Sequence, residues 1–188
     1  RKQRKKGKHR FLKRFILLLF ILCLLGGGAG AAYAAKVVSE APIIHPERMY
    51  ETIDLSTRIY DDNGKVIETI YYSENRKLTE YKNLPENLKN AFIAIEDKTF
   101  WTHHGFNFKR MIGAILNGVT GGSISGTSTI TQQLARNVFL ADVKSERSIK
   151  RKIIEMYYAY QIEQVLTKEE ILEAYLNTIY LGYGNYGV

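Results

Sequence analysis

The sequence predicts a mainly α-helical domain that follows one transmembrane helix and a small β-hairpin. An uncharged run of 21 residues, Phe15–Ala35, is long enough to cross the ~30 Å hydrocarbon layer of a membrane as a helix. Apolar residues recur at helical spacing in several segments after residue 85. Between these features, β-favouring residues flank an Asn-Gly pair at 63–64, which is a frequent hairpin turn.

The positive charge of the chain is concentrated before the apolar run. Nine of the 27 Lys and Arg residues lie within residues 1–14, which contain no acid, and the remaining residues carry a net charge of −1. Basic residues before an apolar span place the N-terminus in the cytoplasm and the following chain outside. We therefore predict a basic cytoplasmic tail over 1–14 and a single-pass anchor over 15–35 in the cell membrane. No nucleic-acid motif follows the tail, so a nucleic-acid partner is not expected.

A cleaved signal peptide is the alternative to an anchor. It would have a short apolar core, Phe15–Leu25, followed by small residues that include Ala32-Tyr33-Ala34. The glycines at 26–28 weaken the second half of any helix. The length of the uncharged run favours the anchor, and both interpretations place the rest of the chain outside the cytoplasm.

A linker over residues 36–84 separates this segment from the helical domain. Pro42 and Pro46 discourage helix, so residues 36–56 are predicted to be an extended connector. The runs 58–60 and 65–72 are predicted to pair as a hairpin.

Five helical segments are predicted within a domain over residues 85–188, which we expect to continue beyond Val188. The segments are a helix starting near Pro85, a helix over 107–119 capped by Asn107, a helix entered through Thr129, a helix over 145–166, and a helix beginning at Thr167 with a capping box to Glu170.

Helical periodicity predicts which side of two of these helices is buried. The apolar stripe of the first consists of Leu88, Ala91, Phe92 and Ile95. Glu96 then lies at the edge of this stripe, and Asp97 lies roughly opposite the stripe. The stripe of the 145–166 helix consists of Ile149, Ile153, Met156 and Tyr160. It puts Arg151 and Glu155 on the opposite, exposed face.

Two carboxylates on different helices, Glu96 and Glu155, suit sugar chemistry, because glycosyl transfer needs a base for the attacking hydroxyl. The cations Arg151, Lys152 and Lys168 could neutralise a pyrophosphate. The alternative for all five is a solvated surface charge or an i,i+4 ion pair.

Metal and nucleotide sites are not predicted from the residues. His103 and His104 stand near Glu96, but their spacing matches no zinc pattern, so a hydrogen-bonded structural histidine is favoured. The sequence contains neither a Walker pattern nor a dinucleotide fingerprint, which indicates that a transferase here would use no nucleotide and take an already activated donor.

Five blocks in order resemble the signature motifs of the peptidoglycan glycosyltransferase family. They lie at 94–107, 126–137, 151–155, 168–177 and 180–188. The first is similar to Glu-Asp-x-x-Phe-x-x-His-x-Gly, the second to Gly-Gly-Ser-Thr-Ile-Thr-Gln-Gln and the third to Arg-Lys-x-x-Glu. Two positions depart from the family pattern, because Asn107 replaces an Asp and Thr127 replaces a Gly.

The resemblance implies a lysozyme-like α-helical fold and specific roles for the motif residues. Glu96 would deprotonate the 4-hydroxyl of the acceptor sugar, and Glu155 would be the second essential carboxylate. The residues implied to bind substrate are Asp97, Phe100, His103, Ser128, Thr129, Thr131, Gln132, Gln133, Arg136, Arg151, Lys152 and Lys168. Arg151 and Lys152 would hold the donor pyrophosphate, where a divalent cation, Mg or Mn, is left open.

The implied reaction joins lipid II to a growing glycan on undecaprenyl pyrophosphate, forming a β-1,4 bond with inversion. The implied partners are lipid II, the lipid-linked glycan, the cell membrane and other proteins of cell-wall synthesis and division. The stretch 57–84 resembles class A penicillin-binding proteins, which implies a C-terminal transpeptidase domain. The alternatives are a lysozyme-like glycan-cleaving enzyme and a non-enzymatic, membrane-anchored wall-binding scaffold.

Overall fold

The computed structural model of the chain describes residues 3–53, 57–70, 75–119, 126–143 and 148–188. Its elements in chain order are α1 (Gln3–Ser39), β1 (Thr57–Tyr60), β2 (Val66–Ile70), β3 (Asn75–Arg76), α2 (Glu86–Glu96), α3 (Phe108–Val119), α4 (Ile130–Phe139), α5 (Ile149–Val165), α6 (Lys168–Thr178), β4 (Tyr180–Gly182) and β5 (Asn185–Tyr186). Short 3₁₀ helices lie at Pro46–Thr52, Tyr81–Asn83 and Ala141–Val143. The predicted mainly α-helical class is confirmed.

The chain divides into two compact units, one ending at Pro42 and the other beginning at Ile43. The first unit contains the single helix α1, which is 37 residues long. Its segment Phe11–Ser39 has a mean hydropathy of 2.4 and is long and apolar enough to span a membrane. The helix extends past both ends of the predicted anchor over 15–35. Anchors and signal peptides both contain such a helix, so the choice of an uncleaved anchor stays a prediction.

The linker is less extended than the sequence predicted. Helix α1 continues to Ser39, and Pro46 begins a 3₁₀ helix rather than preventing one. The fixed φ of proline suits the first position of a helix, where its missing N–H is not needed. The prediction of a fully extended connector over 36–56 was therefore wrong for these parts.

The predicted hairpin is present as the antiparallel pair β1–β2. Asp61 closes its turn, because its Oδ1 accepts hydrogen bonds from the backbone N–H groups of Asn63 (3.0 Å) and Lys65 (2.7 Å). Gly64 adopts a φ of +80°, which few other residues tolerate. Residues 71–72 of the predicted second strand lie outside the described residues.

The core of the second unit lies where α4 packs against both α5 and α6. Its fully buried apolar side chains include Ile130, Leu134, Ile162, Leu172 and Leu176. The predicted capping box of Thr167 and Glu170 starts α6, and a second capping box, of Thr129 and Gln132, starts α4. Ser148 caps α5, while residues 145–147 of its predicted start lie outside the described residues.

The buried side of α2 differs from the predicted stripe. Lys89 and Ile93 are the buried residues of this helix, whereas Ile95 is 79% exposed. Lys89 can be buried because its ammonium lies 3.9 Å from the centre of the Tyr81 ring and pairs with Glu86. A charged residue outside the predicted stripe is therefore buried.

The buried side of α5 differs from the predicted stripe. Ile149 is 75% exposed and Tyr160 is 46% exposed, while Glu155 is fully buried with Tyr158 and Ile162. The assignment of Glu155 to an exposed face was wrong, because the helix turns this carboxylate towards α4 and its neighbouring cations.

The end of the chain forms a small sheet that the sequence reading treated as a loop. Strand β5 pairs in parallel with β3 and in antiparallel fashion with β4. Helix α6 holds the linker beside this sheet: the Asn177 side chain accepts from Thr79 N–H and donates to Thr79 O, both at 2.9 Å. Glu173 accepts from Tyr81 N–H (2.6 Å) and from the Tyr50 hydroxyl (3.2 Å). Glu173 therefore anchors the linker.

Candidate active site

The turn that follows α2 is organised by the buried carboxylate of Asp97. Its Oδ2 accepts from His103 Nε2 (2.6 Å) and Ile130 N–H (3.2 Å), and its Oδ1 accepts from Thr99 Oγ1 (3.1 Å) and Arg110 Nη1 (3.2 Å). Helix α2 ends at Glu96, so helical periodicity no longer governs Asp97, which is fully buried instead of lying opposite the buried face. Asp97 ties the turn to the start of α4.

Asp97 predicts an acid-sensitive stability. Burial alone raises the pKa of Asp97, but hydrogen bonds from His103, Ile130 and Thr99 outweigh burial and hold the pKa below its ordinary value. A carboxylate with a depressed folded-state pKa stabilises the fold above its unfolded pKa, near 3.9, and loses that contribution as pH falls through the folded pKa. Wild type should therefore be more stable than Asp97→Asn at pH 7, and its advantage should shrink below about pH 4. Melting temperatures of both proteins across this range test the expectation, which a constant difference would contradict.

His103 and Phe100 also lie inside the protein. His103 Nδ1 accepts from Gly105 N–H at 3.1 Å, so Nε2 carries the proton that is donated to Asp97. Phe100 is fully buried, and Lys168 Nζ lies 4.7 Å from the centre of its ring. The structural interpretation of the histidine is supported, and the side chains of Asp97, Phe100 and His103 all lie in the interior of the protein.

Glu96 is partly exposed and is oriented by α4. Its Oε2 accepts from Gln133 Nε2 at 2.8 Å, and Gln133 Oε1 in turn accepts from the Tyr175 hydroxyl at 3.4 Å. Burial and then the nearby Glu96 charge raise the pKa of the buried Tyr175, which keeps its hydroxyl protonated as the donor. This chain of contacts fixes one oxygen of Glu96.

A cluster of charges is formed by residues of α4 and α5. Lys152 Nζ donates to Glu155 Oε1 (2.6 Å), Ser128 Oγ (3.0 Å) and Gln132 Oε1 (3.1 Å). Arg136 Nη1 lies 3.9 Å from Glu155 Oε2. The lysine side chain is 33% exposed, whereas the glutamate is fully buried. A ligand can therefore reach the ammonium of Lys152, while the buried Glu155 carboxylate pairs with the ammonium and fixes its position.

Consecutive residues of α4 connect these two parts of the site. Gln133 contacts Glu96, and Gln132 contacts Lys152. Thr129 Oγ1 donates to Gly105 O at 2.6 Å, which joins the first block to the second. The second block thus positions a carboxylate on one side and an ammonium on the other.

Glu163 is a site residue that the sequence analysis missed. Its Oε1 accepts from Thr131 Oγ1 (2.6 Å) and Lys168 Nζ (2.7 Å), and Lys168 also donates to His103 O (2.8 Å). The Glu163 side chain is only 4% exposed. Glu163 precedes Lys168 by five residues across a helix boundary, so no local spacing rule signals the pair.

The predicted substrate-binding residues fall into two groups. Those that the structure buries are Asp97, Phe100, His103, Thr129, Thr131 and Gln132. Those that are at least partly exposed are Ser128, Gln133, Arg136, Arg151, Lys152 and Lys168. Arg151 lines a cavity of about 320 Å³ at the start of α5 together with Ser148 and Lys150.

The structure accounts for both departures from the family pattern. Asn107 Oδ1 accepts from Arg110 N–H (3.0 Å), and its Nδ2 donates to Thr99 Oγ1 (2.9 Å). An ionised aspartate could make only the first of these bonds. Thr127 is not in the left-handed region that would require glycine.

Within the described ranges, no group of three or more His, Cys, Asp and Glu residues is arranged to hold a metal ion. The Mg or Mn ion that the resemblance left open stays a prediction, because an ion bound to substrate phosphates needs only one or two protein ligands.

Comparison with known proteins identifies the class to which this fold and site belong. The sequence model of the transglycosylase family matches residues 63–188, a range that includes all five motif blocks. The chain belongs to the transglycosylase family.

Penicillin-binding proteins are among the relatives of the chain. Penicillin-binding protein 1A of Clostridium tetani is 37% identical over 193 residues, covering 100% of this chain and 24% of the relative. Penicillin-binding protein 1A of Clostridium botulinum is 40% identical, covering 100% and 23%. Penicillin-binding protein 4 of Bacillus subtilis is 46% identical over 187 residues, covering 94% and 29%. The chain spans about a quarter of the length of these relatives, and with α1 they indicate a membrane-anchored protein.

Proposed function

We propose that this chain provides the peptidoglycan glycosyltransferase activity of a bifunctional penicillin-binding protein. The observation that supports this proposal most strongly is a pair of contacts from adjacent residues of α4. Gln132 binds Lys152, and Gln133 binds Glu96. One helix thereby contacts both a carboxylate of α2 and a cation of α5. This is the pair that transfer from a pyrophosphate-linked sugar requires.

Glu96 is the general base in this proposal. Gln133 occupies its Oε2, which leaves Oε1 to accept the proton of the acceptor 4-hydroxyl. The hydroxyl oxygen forms a bond to the anomeric carbon of the donor from the face opposite the leaving group. The bond from that carbon to the pyrophosphate breaks, and its electron pair leaves with the lipid pyrophosphate. This sequence inverts the anomeric centre.

The leaving pyrophosphate is stabilised by the partly exposed cations. Lys152 is held by Glu155, Ser128 and Gln132, so its charge is already in place when negative charge develops. These partners take all three of its N–H donors, so a phosphate oxygen would replace one of the two neutral partners. Arg136 and Arg151 are further candidates for phosphate contacts. Glu155 is fully buried, so we assign it the positioning of Lys152 rather than contact with substrate.

The pair Lys152 and Glu155 can be tested through stability and activity together. Lys152→Met leaves Glu155 buried without its closest cation, and we expect a loss of about 3 kcal/mol in folding free energy. Replacing both residues, with Lys152→Met and Glu155→Leu, removes the buried charge and should restore most of that stability. Neither variant should regain transfer, because the cation is absent from both. Melting temperatures and polymerisation rates check this, and a double variant as active as wild type would contradict the role of Lys152.

The described geometry favours transfer over glycan cleavage. A glycosidase usually needs a second carboxyl group that faces the bond being broken. Glu155, the second predicted acid, is fully buried against Lys152 and cannot serve that purpose. The cationic cluster would stabilise the negative charge of a pyrophosphate leaving group, whereas cleavage of a plain glycosidic bond releases no pyrophosphate.

The proposed substrates are lipid-linked, and the protein surface suits them. Phe108, Ile112 and Leu116 project from one face of α3 and are each more than half exposed. We propose that this face contacts the outer surface of the cell membrane, with the N-terminus of α1 in the cytoplasm. Confinement to the surface that carries lipid II and the lipid-linked glycan raises their effective concentration.

Polymerisation of lipid II tests the proposed function. The full-length protein, purified in detergent, should convert lipid II into long glycan strands that are resolved on a gel. Cleavage of preformed glycan without polymerisation would favour the lysozyme-like enzyme. The absence of both activities, with lipid II or glycan still bound, would favour a scaffold.

A further inference from the structure

One cation in the site belongs to none of the motif blocks. Arg110 lies in the first turn of α3, and its guanidinium contacts three acceptors from two distant segments. Nη1 donates to Asp97 Oδ1 (3.2 Å), both Nη atoms approach the main-chain oxygen of Glu96 (3.5 and 3.4 Å), and Nη2 donates to the main-chain oxygen of Gly126. The side chain is 30% exposed.

Two of these acceptors belong to segments that carry proposed functional groups. The Glu96 carbonyl is part of the residue that carries the proposed base. Gly126 begins the second block, two residues before Ser128, which accepts from Lys152 at 3.0 Å. The arginine therefore links the main chain of the base to the segment that contacts the phosphate-binding cation.

We propose that Arg110 is a positioning residue that holds the main chain at Glu96 and the main chain at Gly126 in fixed register. This inference rests on the proposed function. The planar guanidinium offers five N–H donors in a fork, so it can bridge carbonyls that point from different directions. A lysine ammonium is a single point of charge and cannot reproduce that bridge.

Removal of Arg110 need not unfold the turn. Asp97 keeps its hydrogen bonds from His103, Thr99 and Ile130, so its buried charge retains partners. The register between two functional segments is what changes. A misplacement on the order of 1 Å can lower the rate about 100-fold without removing a reacting group.

Turnover of lipid II by the full-length protein provides the first test. Arg110→Ala should lower kcat roughly 10- to 100-fold and change KM little. Arg110→Lys should recover little of the loss, whereas millimolar guanidinium should restore part of the turnover of Arg110→Ala. Lys109→Ala, which removes the exposed neighbouring cation, is the matched control and should behave as wild type. Turnover of Arg110→Ala equal to that of wild type would overturn the proposal.

Hydrogen–deuterium exchange provides a second test that needs no activity. Arg110→Ala should raise exchange in the peptide that contains Glu96 and in the peptide that contains Gly126, while Lys109→Ala should change neither. If the wild-type protein makes no polymer, the proposed function fails and exchange alone decides the bridge. A rise in both peptides supports the bridge, and unchanged exchange in either peptide overturns it.

Discussion

Glu96→Gln should abolish most of the transfer activity while leaving the fold intact. Glutamine has the same shape as glutamate, and its side-chain oxygen can still accept the hydrogen bond that Gln133 donates at 2.8 Å. It cannot take up the proton of the attacking hydroxyl. Since general-base catalysis typically contributes 10²- to 10⁴-fold, we expect the initial rate of polymer formation to fall by roughly that factor.

The control for this variant is an acid of the same type outside the site. Glu169 is exposed in the first turn of α6, so Glu169→Gln should retain the wild-type rate. Both variants should melt within a few degrees of wild type, because neither change leaves a buried charge without a partner. A Glu96→Gln rate above about a tenth of the wild-type rate would contradict the assignment of Glu96 as base.

Gly105→Ala should cause the largest loss of stability. Gly105 has a φ of +88°, and an added Cβ would lie 2.8 Å from both the carbonyl carbon and the oxygen of Ala159. The left-handed backbone costs about 1–2 kcal/mol for alanine. The clash with the main chain of α5 adds roughly 1–3 kcal/mol, because backbone atoms cannot swing aside. We expect a total of about 3 kcal/mol or more and a melting temperature about 10 °C lower.

Gly64→Ala separates the two causes of that loss. Gly64 has a similar φ of +80°, but no atom lies within 4 Å of the added Cβ. Its substitution should cost only the conformational part, about 1–2 kcal/mol. Equal losses of stability at the two positions would show that the first block is not packed against α5 as the structure describes.

The features predicted best from sequence are those with local causes. The Asn-Gly turn at 63–64, the Asn107 cap and the capping box of Thr167 and Glu170 each depend on residues within a few positions of one another. Such signals operate whatever the rest of the chain does, so the hairpin and the helix starts at Asn107 and Thr167 were predicted correctly.

The predictions that failed concern residues whose partners are brought together only by the tertiary structure. Periodicity placed Glu155 on an exposed face because the predicted apolar stripe of α5 lies on the opposite side of the helix. The structure buries it since Lys152 and Arg136 supply compensating charge. Pairing of β3 with β5 joins residues more than 100 positions apart, for which short strands carry no local signal.

Part of the candidate site was predicted from resemblance to the family, which gives information that residue spacing alone does not. Resemblance to the family selected Glu96, Lys152 and Gln133 among many similar side chains. It did not indicate that Asp97 and Phe100 are buried, nor that Glu163 and Arg110 complete the network. These features follow from which side chains the packing of α3, α4 and α5 brings together.

The most direct test of the central claim is the stoichiometry of the reaction. The full-length protein would be incubated with lipid II, and released lipid pyrophosphate would be counted against newly formed glycosidic bonds. A transferase that uses the Lys152 cluster for its leaving group should release one lipid pyrophosphate for each new bond, and Glu96→Gln should slow both products equally. New reducing ends from glycan without release of lipid pyrophosphate would contradict the claim.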